Sequence, residues 1–378
     1  QALVAAGVDA GARQCLYELV RALPDSPWAP EAHFQLAASY ADAGKLDLAQ
    51  QTFESYILKQ KKRRQEARLR VARIHLARQD WAAAGALLQE LLRCGESRTE
   101  AAAAVAIADQ PMLMSTVRVS EPRLAALVRV LIENREVTRA QPLVAELQQR
   151  FPASASQPLY QYWRGRCFFL KGDYPSALTW FQQAAGGSDK GIATQSRFAM
   201  ARALTLAGRE AEAVPIYNGL LAEADSDRGR ADVLRALYNI ARLTGPSDAA
   251  LGWLDQGVRT LHGVPRLEFS FRLALLDLQL GLPQQAAPAL AELAAKLPPA
   301  ADGDRPDRSE ATFFLGLAHA AAGDDAQALE VWTSDVYRWG NYYSFLSMDR
   351  ARRILTQQPL LGKRLAAAAR QRFAESAT

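Results

Sequence analysis

Three cysteines and four histidines are all that 378 residues supply of the sulfur and nitrogen ligands that zinc sites use. Cys15, Cys94 and Cys167 lie far apart and form neither a CxxC nor a Cys–His spacing suited to zinc, so they read as three buried small hydrophobes. Long apolar runs are missing too. The longest, such as residues 101–108, fall far short of the ~20 residues that span a bilayer, and no transmembrane helix is expected. The opening QALVAAGVDAGARQ has no Met and no basic region followed by an apolar one, so no signal peptide is visible and the natural polypeptide is expected to begin earlier. Charge of one sign is scarce: 45 Lys and Arg face 40 Asp and Glu, a net of +5. Nucleic-acid binders concentrate more positive charge than that on one face, so nucleic acid is not an expected partner. HExxH, GxSxG, EF-hand, GxxxxGK[ST] and GxGxxG motifs are all absent. Neither catalysis, nor a metal, nor a cofactor is therefore expected.

What is present is a repeat. At 49% hydrophobic the chain is not disordered, yet it exceeds the ~250–300 residues at which one core stops growing. Either several domains follow one another or the fold grows in one dimension. The stretch GRCFFLKGDYPSALTWFQQA, residues 165–184, shows the unit: Gly172 and Asp173 as a turn, Ala177 five residues after Gly172, and Phe181 nine after it. The same offsets follow Gly7, Gly44, Gly208, Gly245, Gly281 and Gly323, with weaker copies after Gln79 and Arg135. Seven and four before the turn stand pairs such as Gly165 and Phe168, Ala37 and Tyr40, Ala201 and Leu204, or Gly316 and His319. This is the pattern of a helical hairpin. Glycine takes the left-handed helix cap without steric cost, and Asp, Ser or Pro starts the second helix. Small residues on both sides of the turn let the helices approach, and large ones fill the space around that contact. His75 and His319 occupy the place of Tyr40 and Phe168 and read as core histidines.

The fold expected is all-α, a right-handed α-solenoid of about nine hairpins over residues 1–331. The first unit retains only its second helix, and residues 98–120 fit the rule poorly because Pro111 interrupts an Ala-rich helix. The basic run KQKKRR, residues 59–64, reads as a solvated turn at a helix C-terminus. Residues 332–378, dense in aromatics (Trp332, Tyr337, Trp339, Tyr342, Tyr343, Phe345), read as capping helices that close the array.

These small-residue and aromatic offsets, with Pro152 and Pro298 near unit ends, make the chain resemble the tetratricopeptide repeat family. The step of about 36 residues is longer than that family's usual 34, and His33, Gln161, Arg197 and Ser270 stand where its Trp is expected. The phrases LPDSPWAPEAHFQLA and RFPASASQPLYQYWRG look like inter-repeat segments of bacterial envelope members, which implies a periplasmic or cell-envelope location. Residues 342–351, with a Tyr-Tyr pair and a following Arg-Ala, are similar to the end of the superhelical region of soluble lytic transglycosylases. That second resemblance implies an alternative. The chain would be the helical part of a peptidoglycan lytic transglycosylase or exopolysaccharide export system whose catalytic domain lies elsewhere.

In the repeat family the first helices line a concave groove. Residues at i, i+4 and i+7 share one helical face, and that face reads Tyr162, Arg166, Phe169, then Phe198, Arg202, Thr205. Arginine recurs at one place in four units, as Arg73, Arg129, Arg166 and Arg202, with Arg235 and Arg242 flanking it in a fifth. Aromatics recur one turn earlier, as Phe34, Tyr162, Phe198, Phe271 and Phe313. Guanidinium groups beside rings suit an acidic or carboxylate-terminated peptide, and they also fit an anionic polysaccharide. The expected function is a non-catalytic scaffold that binds a partner protein or peptide along this face.

Overall fold

The computed structural model describes residues 9–154, 156–244, 247–298, 306–334 and 342–363, and among them the regular structure is entirely helical. The chain divides into two compact units, Gln1–Ala203 and Leu204–Thr378. The first holds α1 (Asp9–Ala22), α2 (Ala29–Asp42), α3 (Leu46–Lys59), α4 (Arg64–Ala77), α5 (Trp81–Leu91), α6 (Ser97–Ala108), α7 (Pro111–Arg118), α8 (Glu121–Glu133), α9 (Val137–Arg150), α10 (Gln157–Leu170), α11 (Tyr174–Ala185) and most of α12 (Lys190–Leu206). The second continues with α13 (Glu210–Glu223), α14 (Asp227–Thr244), α15 (Ser247–Thr260), α16 (Gly263–Gln279), α17 (Pro283–Lys296), α18 (Arg308–Ala321), α19 (Asp325–Ser334) and α20 (Tyr342–Gln357). Within each unit consecutive helices pack as hairpins, and first helices of neighbouring hairpins also touch: α4 with α6, α6 with α8, α8 with α10, then α14 with α16 and α16 with α18. This is an α-solenoid arrangement, in which each hairpin buries its apolar faces only against its neighbours.

The turn chemistry follows the repeat. Gly172 sits at φ 80°, the Gly172 N–H donates to the Phe169 carbonyl at 3.0 Å, and the Asp173 N–H donates to the Phe168 carbonyl at 3.0 Å. This doubled return satisfies carbonyls left open at the end of α10. Asp173 then accepts from the Ser176 N–H at 3.1 Å and caps α11. Asp80 and Asp324 do the same for Ala83 and Gln327.

Packing across each hairpin is equally regular. The small residue five after the turn (Ala49, Ala84, Ala140, Ala177, Ala286, Ala328) is fully buried in every case. The large residue nine after it meets the small one seven before. A methyl group added to Gly165 would lie 2.5 Å from the Phe181 ring, so glycine is what lets α10 and α11 close on that ring. Gly316 stands against the Trp332 indole in the same way, and the indole N–H donates to the buried Phe313 carbonyl at 3.0 Å.

Several expectations are corrected. Only Cys167 is buried, and burial pushes its thiol up to about 11; Cys15, on the surface of α1, is exposed, and Cys94, in the bend after α5, is half-buried. The basic run is not wholly solvated. Arg63 turns inward, reaches Glu31 at 2.9 Å and Glu66 at 2.8 Å, and lies 3.6 Å from the centre of the Phe34 ring. Residues 97–118 form the pair α6 and α7, with Pro111 as the first residue of α7, where its missing N–H costs nothing. The turns proposed at Gly7 and Gly245, and the aromatics Tyr337 and Trp339, lie outside the described residues.

Candidate functional site

The arginines read from the recurring position divide into two kinds. Arg129, on α8, is held internally. It donates to Glu133 at 2.6 Å and to the Leu92 carbonyl at 2.8 Å, with Glu100 at 3.8 Å. It therefore ties the end of α5 to α8 and has little left to offer a ligand. Arg235, on α14, is similarly engaged, by Asp232 at 2.8 Å and Glu268 at 3.1 Å. Glu268 also takes Arg272 at 2.9 Å.

Arg166 and Arg202 are the other kind. Among the described residues neither has a carboxylate within ion-pair distance, although both belong to the first unit and stand near one another. What they share is an aromatic ring. The Arg166 guanidinium carbon lies 5.8 Å from the centre of Phe169, and that of Arg202 lies 5.6 Å from the same ring. Both distances are within the range of a cation–π contact, which orients the guanidinium without neutralising it. Phe169 is held in turn by Tyr174 at 5.8 Å and Phe181 at 6.4 Å. Tyr162 packs on Phe181 at 5.7 Å. Burial raises the Tyr162 phenol above its usual value, while the charges of Arg166 and Arg202 oppose that shift, so the hydroxyl lies in the field of both. Four residues predicted from periodicity, Tyr162, Arg166, Phe169 and Arg202, thus form one patch: two free cations over a rigidly backed ring.

The remaining candidates lie elsewhere. Arg73, on α4, is exposed and borders a cleft of about 670 Å³ that also meets Arg70, Arg98, Glu66 and Thr99 near the start of α6. Phe198 is half-buried on α12. Arg242 is exposed on α14 in the second unit. Phe271 is 5% exposed and stacks edge-on with Phe314 at 5.9 Å, which makes it a core residue of that unit. Phe34 and Phe313 are buried likewise. The helical face named by periodicity is thus partly an interface between neighbouring helices. A ring there is free only where the next helix leaves it so. Among the described residues no three His, Cys, Asp or Glu side chains converge as a metal site. No helix among them is long and apolar enough to cross a membrane.

The family described as "Tetratricopeptide repeat" matches residues 34–106, 125–192 and 271–332. No curated protein matches the sequence. Among solved structures, yeast Tom70 aligns over 95% of this chain and 99% of its own at 13% identity, with a TM-score of 0.38. The apo form of the quorum sensor NprR from B. thuringiensis aligns over 75% of this chain and 80% of its own, at 13% identity and a TM-score of 0.39. A tetratricopeptide repeat protein from Parabacteroides merdae covers 76% of this chain and 98% of its own, at 14% identity and a TM-score of 0.35.

Proposed function

We propose, from the premise that the chain belongs to the tetratricopeptide repeat family, that it is a non-catalytic scaffold for protein interaction whose recognition element is the Tyr162, Arg166, Phe169, Arg202 patch. The observation that supports this reading is the pair of guanidinium groups without carboxylates, both within 6 Å of one ring. The ligand class follows from the chemistry. Each guanidinium offers a planar fork of donors that matches a carboxylate, and Phe169 offers apolar surface for the residue beside it. A partner segment bearing acidic side chains or a free C-terminal carboxylate, with an apolar neighbour, uses both. Because the ring already orients the two arginines, less side-chain entropy is lost on binding. The proposed setting in a bacterial envelope rests on the two inter-repeat phrases alone.

The test is fluorescence anisotropy with a labelled peptide of alternating Glu and Leu that ends in a free carboxylate. Arg166→Glu with Arg202→Glu is expected to weaken binding by at least about tenfold, while Arg352→Glu with Lys363→Glu, the same change in net charge at exposed sites, leaves it within about twofold. Equal losses in both double variants would mean that overall charge alone attracts the peptide. An anionic polysaccharide that displaces the peptide would redirect the reading to glycan.

A further inference from the structure

The rule that fixes each hairpin is broken at one side chain. Four residues before the turn the chain has Tyr40, His75, Leu131, Phe168, Leu204 and His319, with Ala241 in one further unit. Before Gly281 the same place is taken by Asp277. It is 8% exposed, and no donor or cation among the described residues reaches its carboxylate. Burial is the single influence on its ionisation, and it raises the carboxyl above the ordinary aspartate value. A buried carboxylate without a partner is costly, and natural interiors supply one. Asp277 lines a pocket of about 160 Å³ between α16 and α17, with Val258 of α15 also on its lining.

We propose that this pocket binds a primary alkylammonium group, with Asp277 as its counter-ion. The walls contributed by Leu273, Ala289 and Leu293 suit an alkyl stem. Ser270 and Gln285 line the same pocket and add oxygen acceptors for the remaining N–H groups of an ammonium. Glu292, also on the lining, is already tied to Lys296 at 2.6 Å, so Asp277 is the carboxylate left to be matched. Arg266 lines the pocket too, is exposed, and makes no ion pair with Asp277. An anion is disfavoured by the two carboxylates. One free carboxylate falls short of the six or more oxygen ligands that Ca²⁺ takes. Size agrees as well. A water's share of liquid volume is about 30 Å³, so the pocket accepts on the order of five heavy atoms, the size of a butylammonium ion. A lysyl side chain of a partner segment and a free alkylamine present the same group.

Isothermal titration calorimetry at about pH 7 with n-butylammonium chloride, Nα-acetyl-lysine methylamide and neutral 1-butanol tests the assignment. At least one ammonium probe is expected to saturate with a Kd on the order of 1 mM, and 1-butanol to bind about tenfold more weakly or not at all. Asp277→Asn, with circular dichroism unchanged, is expected to lose the ammonium preference. Asp277→Leu fills the pocket and binds none of the probes. Saturation by the lysyl probe alone assigns the group to a polypeptide side chain, and by butylammonium alone to a free amine. No saturable heat with either ammonium, or affinity unchanged in Asp277→Asn, overturns the proposal and leaves a hydrated void. The outcome is independent of the peptide assay on the first unit, since Asp277 lies in the second.

Discussion

Gln79 and Arg135 adopt φ of 60° and 63°, the conformation that glycine holds at the equivalent turns. The hydrogen bonds are the same as well: the Asp80 N–H donates to the His75 carbonyl at 2.9 Å, and the Glu136 N–H to the Leu131 carbonyl at 2.8 Å. Side chains with a Cβ pay about 1 kcal/mol for that conformation. Gln79→Gly is therefore expected to stabilise the first unit by a few tenths to about 1 kcal/mol in chemical denaturation, whereas an unchanged or lowered midpoint would argue against the cap. Gly165→Ala should act in the opposite sense. Its methyl meets the Phe181 ring, and overpacking of this kind costs about 1–3 kcal/mol. Asp277 contributes one part of the pH dependence. Its folded carboxyl holds the proton more tightly than the unfolded one, so stability falls as pH rises from the ordinary aspartate value through the raised folded value. Asp277→Leu is expected to be more stable than wild type at neutral pH, by a margin that shrinks as pH falls through the raised folded value toward about 4. Thermal melts at both pH values check this; a margin independent of pH would contradict it.

At the scale of elements, the hairpins were legible because three constraints repeat: a left-handed cap, a small residue five after it, and a small–large pair across the helices. Ala177, Phe181 and Gly165 satisfy all of them in one stretch, and each later copy confirms the same geometry. Residues 97–118 were harder to read because the link between α6 and α7 has no left-handed residue among 109 and 110. Glu66 stands three residues after Arg63, but nothing in the run of cations marks which one will meet Glu31 of α2. Residues 342–357 show what the tail does where it is described. Helix α20 covers Phe313, Phe314 and Trp332, and the Tyr343 hydroxyl donates to Glu310 at 2.8 Å. Burial, with that bond second, pushes the Tyr343 phenol up to about 12. Tyr343→Phe leaves half-buried Glu310 without this donor and is expected to cost about 1 kcal/mol of the second unit's stability. An unchanged melting temperature would show that the bond contributes nothing.

For the whole molecule, the turn periodicity named the architecture. What it could not name was the patch. Six arginines share a helical face by spacing; Glu133 and Asp232 stand one turn from Arg129 and Arg235 on the same helices, but the Leu92 carbonyl and Glu268 that complete their ties are brought near by helix packing. Likewise Phe271 and Tyr162 hold the same place in their units, yet Phe271 is closed off by Phe314 while Tyr162 stays half-buried. Free cations on a ring remain at Arg166 and Arg202. More than a positive surface is proposed here: a pair of guanidinium forks held by Phe169. Arg166→Lys with Arg202→Lys preserves the charge and removes the planar fork. Measured by anisotropy with the Glu-Leu peptide, this double variant is predicted to bind about tenfold more weakly than wild type, about 1.4 kcal/mol, with helicity unchanged. Wild-type affinity in the lysine variant would contradict the claim.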